Sequence, residues 1–506
     1  MKIIHEQLKL DTPIPQVVGN SDYDRYQAEL DLMDDLCRKS GIDDKVAEFV
    51  VCQAQQRRDA SRAAEGLSPK PLTAKEKIRL LQNGRTIFRA ALLRKYTGES
   101  LRNFCCRVAE SQVRQKFCRI NRFGGAKIFS KSTLSEFEND LSADFLKQVH
   151  ALLLQSACGK VAPKTGVNPL GLETPIRMDH CYADTTCVQA HIHYPADWLL
   201  LRDATRTLML ACRLIRDGGL RHRMPCEPNE FISKINALCI QMAQCRRKKD
   251  ARKQRKAILR LMKKLLKKVA AHAERHAKLL EEHWEKTDYS EAEAMQILRR
   301  IRNIQQQLPF AIFQAHERII GERQVANAEK ILSLYEDCVH VIVRGKAGGE
   351  VEFGNTFLLV EQSDGLVIDY NLLSDQSPGD AALLEECMDR IESILPGTIA
   401  SMTTDRGFDS RAVRELLKAK GIFNAVCPRS IAAYVERSKD PRFRCHQKRR
   451  AQTEARIAIL NGFSANPMLQ KGFKHREIHM GLSVLSHNLR KLAQMRVAEE
   501  AREAAA

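Results

Sequence analysis

The sequence has no pair of cysteines at the spacing that zinc knuckles and ribbons use. Its sixteen cysteines are scattered along the chain, and none forms a Cys-x2-Cys pair. His475 and His479 flank Glu477 at a spacing that does not match the helix of a zinc protease. We therefore expect most of the cysteines to be reduced core residues of a cytosolic protein, packed as small apolar side chains.

Long apolar runs are also missing. No stretch reaches the roughly 18 apolar residues that a membrane-spanning helix needs, and the first ten residues carry charges where a secretory signal would be apolar. Trp198 and Trp284 are the only tryptophans, so a platform of aromatic rings for stacking bases is not indicated. These absences predict a soluble, intracellular protein with no membrane partner.

Positive charge is what the chain has in excess. Its 506 residues carry a net charge of +20, with an isoelectric point near 9.3. The length predicts two to four domains. Each phosphate that Lys or Arg neutralises releases counterions, so this charge favours a polyanionic partner. Nucleic acid is the predicted partner.

The amino-terminal part of the sequence is predicted to be helical. Residues 1–70 have the composition of polar helix and loop, and nothing in them indicates a role. Residues 71–158 are helical in pattern, with Ser130 or Ser132 as the predicted N-cap of a helix that Lys131 opens. Short helices of this kind suit a helix-turn-helix DNA-binding domain. A plain helical bundle is the alternative.

A Gly/Pro-rich segment ends this region, and residues 201–334 then form a predicted basic helical insertion. A long amphipathic helix over 246–268 has a very basic outer side, and a second helix is expected to fold back on it as a hairpin. The candidate DNA-binding residues of the insertion are Arg246, Arg247, Lys248, Lys249, Arg252 and Lys253. A solvated face without a partner and a coiled-coil oligomer arm are the alternatives.

Strand-like patterns flank the insertion. They predict an α/β domain made of residues 175–200 and 335–490, split after its first strand and followed by a tail over 491–506. Three antiparallel strands are expected over 339–373, with a turn at Ser363-Asp-Gly365. A β-α-β unit over 399–427 and a closing helix follow.

Three carboxylates stand in three different surroundings within this domain. Asp184 lies near the middle of a strand, Asp405 ends another, and Glu454 lies in a segment of good helix formers. An acid inside an apolar strand is costly unless it is paired or metal-bound. Carboxylate oxygens suit Mg²⁺ or Mn²⁺, and two such ions can stabilise the attacking and leaving oxygens of a phosphodiester. We predict one catalytic metal site from these three acids, with ordinary surface acids as the alternative.

The third acid has a rival in Asp440. Pro441 follows Asp440 directly, and a residue before proline is biased away from helix. Glu454 lies within the predicted helix and shares a face with Arg450, four residues earlier. Arg450 is a candidate contact for a DNA phosphate because a guanidinium matches two phosphate oxygens. An ion pair between Arg450 and Glu454 is the alternative.

Asp184 is expected on the first strand, Asp405 after the fourth strand and Glu454 on the helix after the fifth. This order of acids is that of ribonuclease H-like nucleotidyl transferases. The chain also resembles bacterial insertion-sequence transposases of the Asp-Asp-Glu class over most of 170–200 and 330–495, and weakly over 75–150. The motifs that carry the resemblance are 184–197, Arg344-Gly-Lys-Ala-Gly, Asp405-Arg-Gly-Phe-Asp-Ser, Arg449-Arg-Ala-Gln-Thr-Glu and Ser486-His-Asn-Leu-Arg-Lys-Leu. The family signature Tyr-x2-Arg-x3-Glu-x6-Lys keeps Arg450 and Glu454 but has Gln447 and Asn461 in its outer positions.

The resemblance implies a ribonuclease H-like domain with a mixed five-stranded sheet, using two Mg²⁺ ions or Mn²⁺ in their place. Asp184 would bridge the two ions. Asp405 would complete the ligands of one ion and Glu454 those of the other. The implied activity is binding of terminal inverted repeats, DNA cleavage and transfer of the cut ends to target DNA. Because two ends are cut together, the protein is expected to act on double-stranded DNA as at least a homodimer. Its expected location is the bacterial cytoplasm, in association with the nucleoid. A nuclease without strand transfer and a non-catalytic DNA-binding protein are the alternatives.

Overall fold

The computed structural model describes residues 19–505, except 123–124, 164, 246–249, 337, 347–348, 396, 398 and 465–467. Helices predominate in these ranges, and they surround one mixed β-sheet. No helix in the described ranges is long and apolar enough to cross a membrane.

Seven helices and a short hairpin make up the described residues of the amino-terminal region. They are α1 (Ser21–Lys39), α2 (Ile42–Ala64), α3 (Ala74–Thr97), α4 (Leu101–Glu110), α5 (Gln112–Cys118), β1 (Asn121–Arg122), β2 (Gly125–Ala126), α6 (Lys131–Asp140) and α7 (Ala143–Ala157). The side chain of Ser130 accepts a hydrogen bond from Thr133 N, which confirms Ser130 as the N-cap of α6. Thr73 and Glu76 form a capping box that begins α3.

The insertion has a core of its own. Its helices are α8 (Asp197–Asp217), α9 (Pro228–Gln244), α10 (Ala251–His283) and α11 (Glu291–Ile319). Buried residues of all four helices, such as Leu208, Met242, Met262 and Ile301, belong to one apolar cluster. The predicted helical hairpin is present, because α10 and α11 pack along each other in this cluster.

The sheet brings together strands from both sides of the insertion. They are β3 (His180–Gln189), β4 (His340–Lys346), β5 (Gly349–Glu361), β6 (Val367–Leu372), β7 (Ser401–Thr403) and β8 (Phe423–Asn424). β5 pairs antiparallel with β3 on one side, and with β4 and β6 on the other. β3 then pairs parallel with β7, and β7 parallel with β8. The mixed sheet is confirmed. Among the described residues it has six strands, the number that the strand patterns predicted, rather than the five that the resemblance implied.

Helices cover both faces of the sheet. The remaining helices are α12 (Leu383–Ile394), α13 (Arg411–Ala419), α14 (Ile431–Arg437), α15 (Pro441–Ser464) and α16 (Phe473–Ala505). α12 and α13 pack on one face through Met388 and Leu417, and α15 and α16 on the other through Leu460 and Val484. Buried residues of α16, including Leu489, also belong to the core of the amino-terminal helices. α16 is therefore shared, and it continues through most of 491–506, where the sequence suggested a tail.

A buried carboxylate anchors α15 to the sheet. Glu361, the last residue of β5, is fully buried and accepts hydrogen bonds from Arg449 Nη1 at 2.9 Å, Thr453 Oγ1 at 2.8 Å and Arg456 Nε at 2.9 Å. Burial tends to raise the pKa of Glu361, but the bonds from Arg449 and Arg456 outweigh it and lower the pKa. Glu361 therefore remains ionised between two arginines.

Replacing Glu361 tests this anchor. Glu361→Gln leaves Arg449 and Arg456 without their counter-charge in a mostly buried place, so we expect the free energy of unfolding to fall by about 3 kcal/mol or more. Urea denaturation followed by circular dichroism measures the change. The matched control is Glu436→Gln, which breaks the exposed pair with Lys439 and should change stability by less than about 1 kcal/mol. Equal effects of the two substitutions would contradict the assignment.

Candidate active site

A cleft of about 1790 Å³ lies at one end of the sheet. Asp184 from β3, Asp405 after β7 and Glu454 from α15 all line it. These three acids are far apart in the sequence, and the sheet with α15 brings them to one cleft. Ligand pockets commonly lie at such points of an α/β sheet.

Asp184 is partly buried at the cleft. It lies between Ala183 and Thr185 in the central strand, and its Oδ1 accepts the backbone N–H of Thr185 at 2.8 Å. Burial raises the pKa of Asp184 to about 6, and the negative charges of Asp405 and Glu454 add to this effect. The N–H of Thr185 and the charge of Arg450 act in the opposite direction. Asp184 therefore senses both other acids and Arg450 directly.

Asp405 is held at the end of the parallel strands. Backbone bonds continue past β7 and β8, with Cys427 N donating to Thr404 O at 3.1 Å. Asp405 then caps a single 3₁₀ turn over Arg406–Phe408, and its Oδ1 accepts from Gly407 N at 2.9 Å. Asp405 lines the cleft while its Oδ1 makes this cap.

Glu454 and Asp440 occupy different positions on α15. Glu454 lies within the helix and lines the cleft, as does Arg450, whose Nε donates to Gln447 Oε1 at 3.3 Å. Asp440 precedes the helix and accepts from Arg442 N at 2.8 Å. Asp440 is not among the described residues that line the cleft. The structure therefore groups Glu454, rather than Asp440, with Asp184 and Asp405.

Besides the three predicted acids, the cleft is lined by Glu352 and by Asp380, neither of which the sequence indicated. Asp380 follows Gly379, whose φ of 110° favours glycine, and its Oδ1 accepts from Thr185 Oγ1 at 2.9 Å. A Cβ added to Gly407 would lie 2.5 Å from Asp380 Oδ2 and 3.1 Å from Asp405 Oδ1, so both carboxylates face the same small space. Acids are common in the first turn of helices, which is why Asp380 gave no signal in the sequence.

The predicted DNA-binding residues are not all at the cleft. Arg450 lines it, together with Arg406, Arg444 and Lys448. Lys131 is exposed at the start of α6, in the amino-terminal region. Lys253 is exposed on α10, and Arg252 lines a second cavity nearby. Arg246, Arg247, Lys248 and Lys249 lie outside the described residues.

The donor atoms of the cleft fit a hard divalent cation. In the described ranges, no three His, Cys, Asp or Glu side chains stand close enough to form a ready ligand set. Mg²⁺ does not need such a set, because it usually keeps several waters and takes one or two carboxylates plus phosphate oxygens of a substrate. Burial, together with the charges of Asp405 and Glu454, raises the pKa of Asp184, so a cation beside this carboxyl would favour its ionised form.

Comparison with known families gave one match. Residues 343–493 match the family described as "Transposase DDE domain". The matched span is less than a third of the chain; it contains Asp405, Arg450 and Glu454 but not Asp184 or the insertion. The match confirms the resemblance that the motifs indicated. No curated protein and no solved structure matches the chain.

The raised pKa of Asp184 predicts a pH-dependent effect on stability. A carboxyl group with a raised pKa in the folded state stabilises the fold while protonated and loses that contribution as pH rises through its folded pKa. Ionised Asp184 therefore destabilises the metal-free protein above about pH 6. We expect Asp184→Asn to be more stable than the wild type by about 2 kcal/mol at neutral pH.

Urea denaturation in a chelating buffer at several pH values checks this expectation. The gain from Asp184→Asn should disappear below about pH 4, where the wild-type carboxyl is protonated in both states. Asp440→Asn is the control, since Asp440 is outside the cleft. A gain that does not change with pH would show that charge is not its cause.

Proposed function

We propose that the chain is a DNA transposase that binds the inverted-repeat ends of an insertion element, cleaves DNA and transfers the cut ends to target DNA. The match of residues 343–493 to the transposase DDE domain family supports this proposal. The observation that carries the proposal is the convergence of Asp184, Asp405 and Glu454 on one cleft. The net charge of +20 suits a DNA partner.

The strand order supports a ribonuclease H-like catalytic domain. Three antiparallel strands, β6, β5 and β3, continue into the parallel strands β7 and β8, and α15 follows them. Asp184 lies on β3, the first strand of this sheet along the chain. Asp405 follows β7, the parallel partner of β3, and Glu454 lies on α15, after the sheet. In this arrangement β4 is an additional strand at the edge of β5.

We assign the catalytic role to Asp184, Asp405 and Glu454, which would hold two Mg²⁺ ions or Mn²⁺ in their place. Bound there, the ions supply positive charge to the attacking and leaving oxygens of the phosphodiester. Asp184 would hold metal together with Asp405 and Glu454, whose negative charges act on its carboxylate. Asp380 steadies this arrangement through its hydrogen bond from Thr185.

Basic side chains of the cleft have a separate role in this proposal. Arg406, Arg444, Lys448 and Arg450 line the same cleft as the acids, so a DNA strand can reach the acids while its phosphates contact cations. Gln447 bonds to the backbone oxygens of Thr404 at 3.3 Å and Ala425 at 2.6 Å. Where the family signature has Tyr, this chain therefore has a residue that anchors α15 beside Asp405.

The other regions complete the proposed function. The helices around Lys131 are the candidate reader of the element ends, and Arg252 and Lys253 of the insertion are candidate backbone contacts. Two ends must be cut together, so the active form is expected to be at least a homodimer on DNA. The cytoplasm of a bacterium, with the nucleoid, is the proposed location.

A cleavage assay tests the assignment of the acids. A labelled duplex carrying an element end is incubated with Mg²⁺ and with Asp184→Asn, Asp405→Asn, Glu454→Gln or Asp440→Asn protein. The first three should lose more than about a hundredfold in cleavage rate, since even outer partners of a metal site cost 10- to 100-fold. Asp440→Asn should cleave like the wild type. Loss of cleavage in Asp440→Asn, with Glu454→Gln active, would overturn the assignment.

The same assay separates the competing functions. Joined product together with cleavage supports a transposase, whereas cleavage without joining favours a nuclease. No cleavage by a wild-type protein that binds the duplex would favour a non-catalytic DNA-binding protein. The acids at all three positions speak against this last reading, since a protein that only binds DNA does not need them.

Metal binding can be measured without any reaction. A ligand that binds only the folded state raises its melting temperature, so Mn²⁺ should raise that of the wild-type protein. Asp184→Asn and Asp405→Asn should abolish the rise, and Asp440→Asn should retain it. Differential scanning fluorimetry over a Mn²⁺ titration measures this, and an equal rise in all four proteins would place the metal elsewhere.

A further inference from the structure

A second cavity, of about 1000 Å³, lies where the insertion joins the catalytic sheet. It is formed by the start of α10, the end of α11 and the segment that returns to β4. Five cationic side chains and one acidic side chain line it: Arg252, Arg255, Arg318, Arg323, Lys330 and Glu322. This composition favours an anionic ligand over a neutral one.

Two of these cations have no acidic partner among the described residues. Arg255 stacks over the ring of Trp198 with its Cζ 5.4 Å from the ring centre, and its buried Nε has no hydrogen-bond partner in the described ranges. Lys330 donates to the neutral Asn327 Oδ1 at 2.6 Å. A buried donor without a partner is costly. A ligand that accepts a hydrogen bond from Arg255 Nε would remove this cost.

The other cations of the cavity have partners. Arg318 pairs with Asp197 at 2.8 Å, Arg323 pairs with Glu317, and Glu322 pairs with Lys256 at 2.8 Å and more distantly with Arg252. Burial and the charge of Arg318 together lower the pKa of Lys330, with Asp197 acting in the opposite direction. The positive charge around Arg255 and Lys330 is thus incompletely neutralised by the protein itself.

The basic cavity adjoins the acidic cleft. Asn327 lines both, so the two cavities meet at this residue, and Lys330 lies on the side of the basic cavity. The cavity is also at the root of the insertion, since Trp198 begins α8 just after β3 and Lys330 lies just before β4. Its position beside the cleft is therefore set by the chain connections to the sheet.

We propose that this root cavity is a second binding site for a phosphodiester backbone, which holds the DNA that continues out of the acidic cleft. Arg255 and Lys330 are its contact residues. A guanidinium supported on an aromatic ring presents a planar pair of donors to phosphate oxygens, and the volume exceeds what one free phosphate fills. The inference rests on the proposed function, because DNA in the cleft is its premise.

The sequence pointed to a different surface. It placed the DNA contact on the outer side of the basic helix, whereas Arg255 is a partly buried residue of the same helix and Lys330 lies outside it. The site needs residues about seventy-five positions apart in the chain, and only the hairpin of α10 and α11 brings them together.

DNA binding measured without catalysis tests the inference. Fluorescence anisotropy follows binding of a labelled duplex of about 30 base pairs in EDTA, at salt concentrations of roughly 50 to 200 mM. Arg255→Gln and Lys330→Gln should each weaken binding and reduce the slope of log affinity against log salt by about one. The control is Lys278→Gln, which removes an exposed charge from the same helix, about 35 Å along it from Arg255.

The outcomes distinguish the inference from the function on which it rests. A wild-type protein that does not bind the duplex overturns both. If the wild type binds the duplex but Arg255→Gln, Lys330→Gln and Lys278→Gln have equal slopes of log affinity against log salt, only the proposed binding site in the root cavity is overturned. Arg255→Gln could unfold the protein by uncovering Trp198. In that case Lys330→Gln and the conservative Arg255→Lys provide the test. Arg255→Lys should recover part of the slope of log affinity against log salt.

Discussion

The contact between Glu361 and α15 determines where the third acid of the cleft lies. Glu361 ends β5 with no exposed surface, and one helix surrounds it with Arg449, Thr453 and Arg456. Buried charges of opposite sign tolerate little displacement, because a shift leaves one of them unpaired in a place that water does not reach. The register of α15 on the sheet is therefore fixed within one turn of Glu454. A helix held only by Leu460 and its apolar neighbours could slide more easily.

The acids that make the cleft a candidate cation site also destabilise the fold when no cation is bound. Asp184 is partly buried in the sheet near Asp405 and Glu454, and burial, followed by the like charges of these two acids, raises its pKa to about 6. In the absence of a cation, this arrangement destabilises the fold at neutral pH. Functional sites often keep such unfavourable charge because the ligand relieves it. Here the surrounding cations of the cleft and the adjoining root cavity supply positive charge on which a polyanion can lie.

The rest of the chain supports the mixed sheet in two different ways. α16 belongs to two cores: it packs on the sheet through Val484 and on the amino-terminal helices through Leu489. The insertion instead has a separate core and meets the sheet mainly at its root. Residues that read DNA ends in the amino-terminal region would thus be coupled to the sheet through one continuous helix. The insertion is attached where the chain leaves β3 and returns to β4.

The sequence by itself determined the local features of this protein. Alternating apolar residues predicted the strands around Asp184 and over 351–373, residue type limited the N-cap to Ser130 or Ser132, and the motifs around Asp405 and Glu454 indicated the family. These features depend on neighbours in the chain, which a pattern can record. Tertiary structure alone decided that Asp380 bonds to Thr185, nearly two hundred residues away, that Glu361 anchors α15, and that Arg255 and Lys330 share a cavity. Such contacts depend on how helices and strands pack, and an acid or a cation has the same sequence signature whether it is solvated or buried at a site.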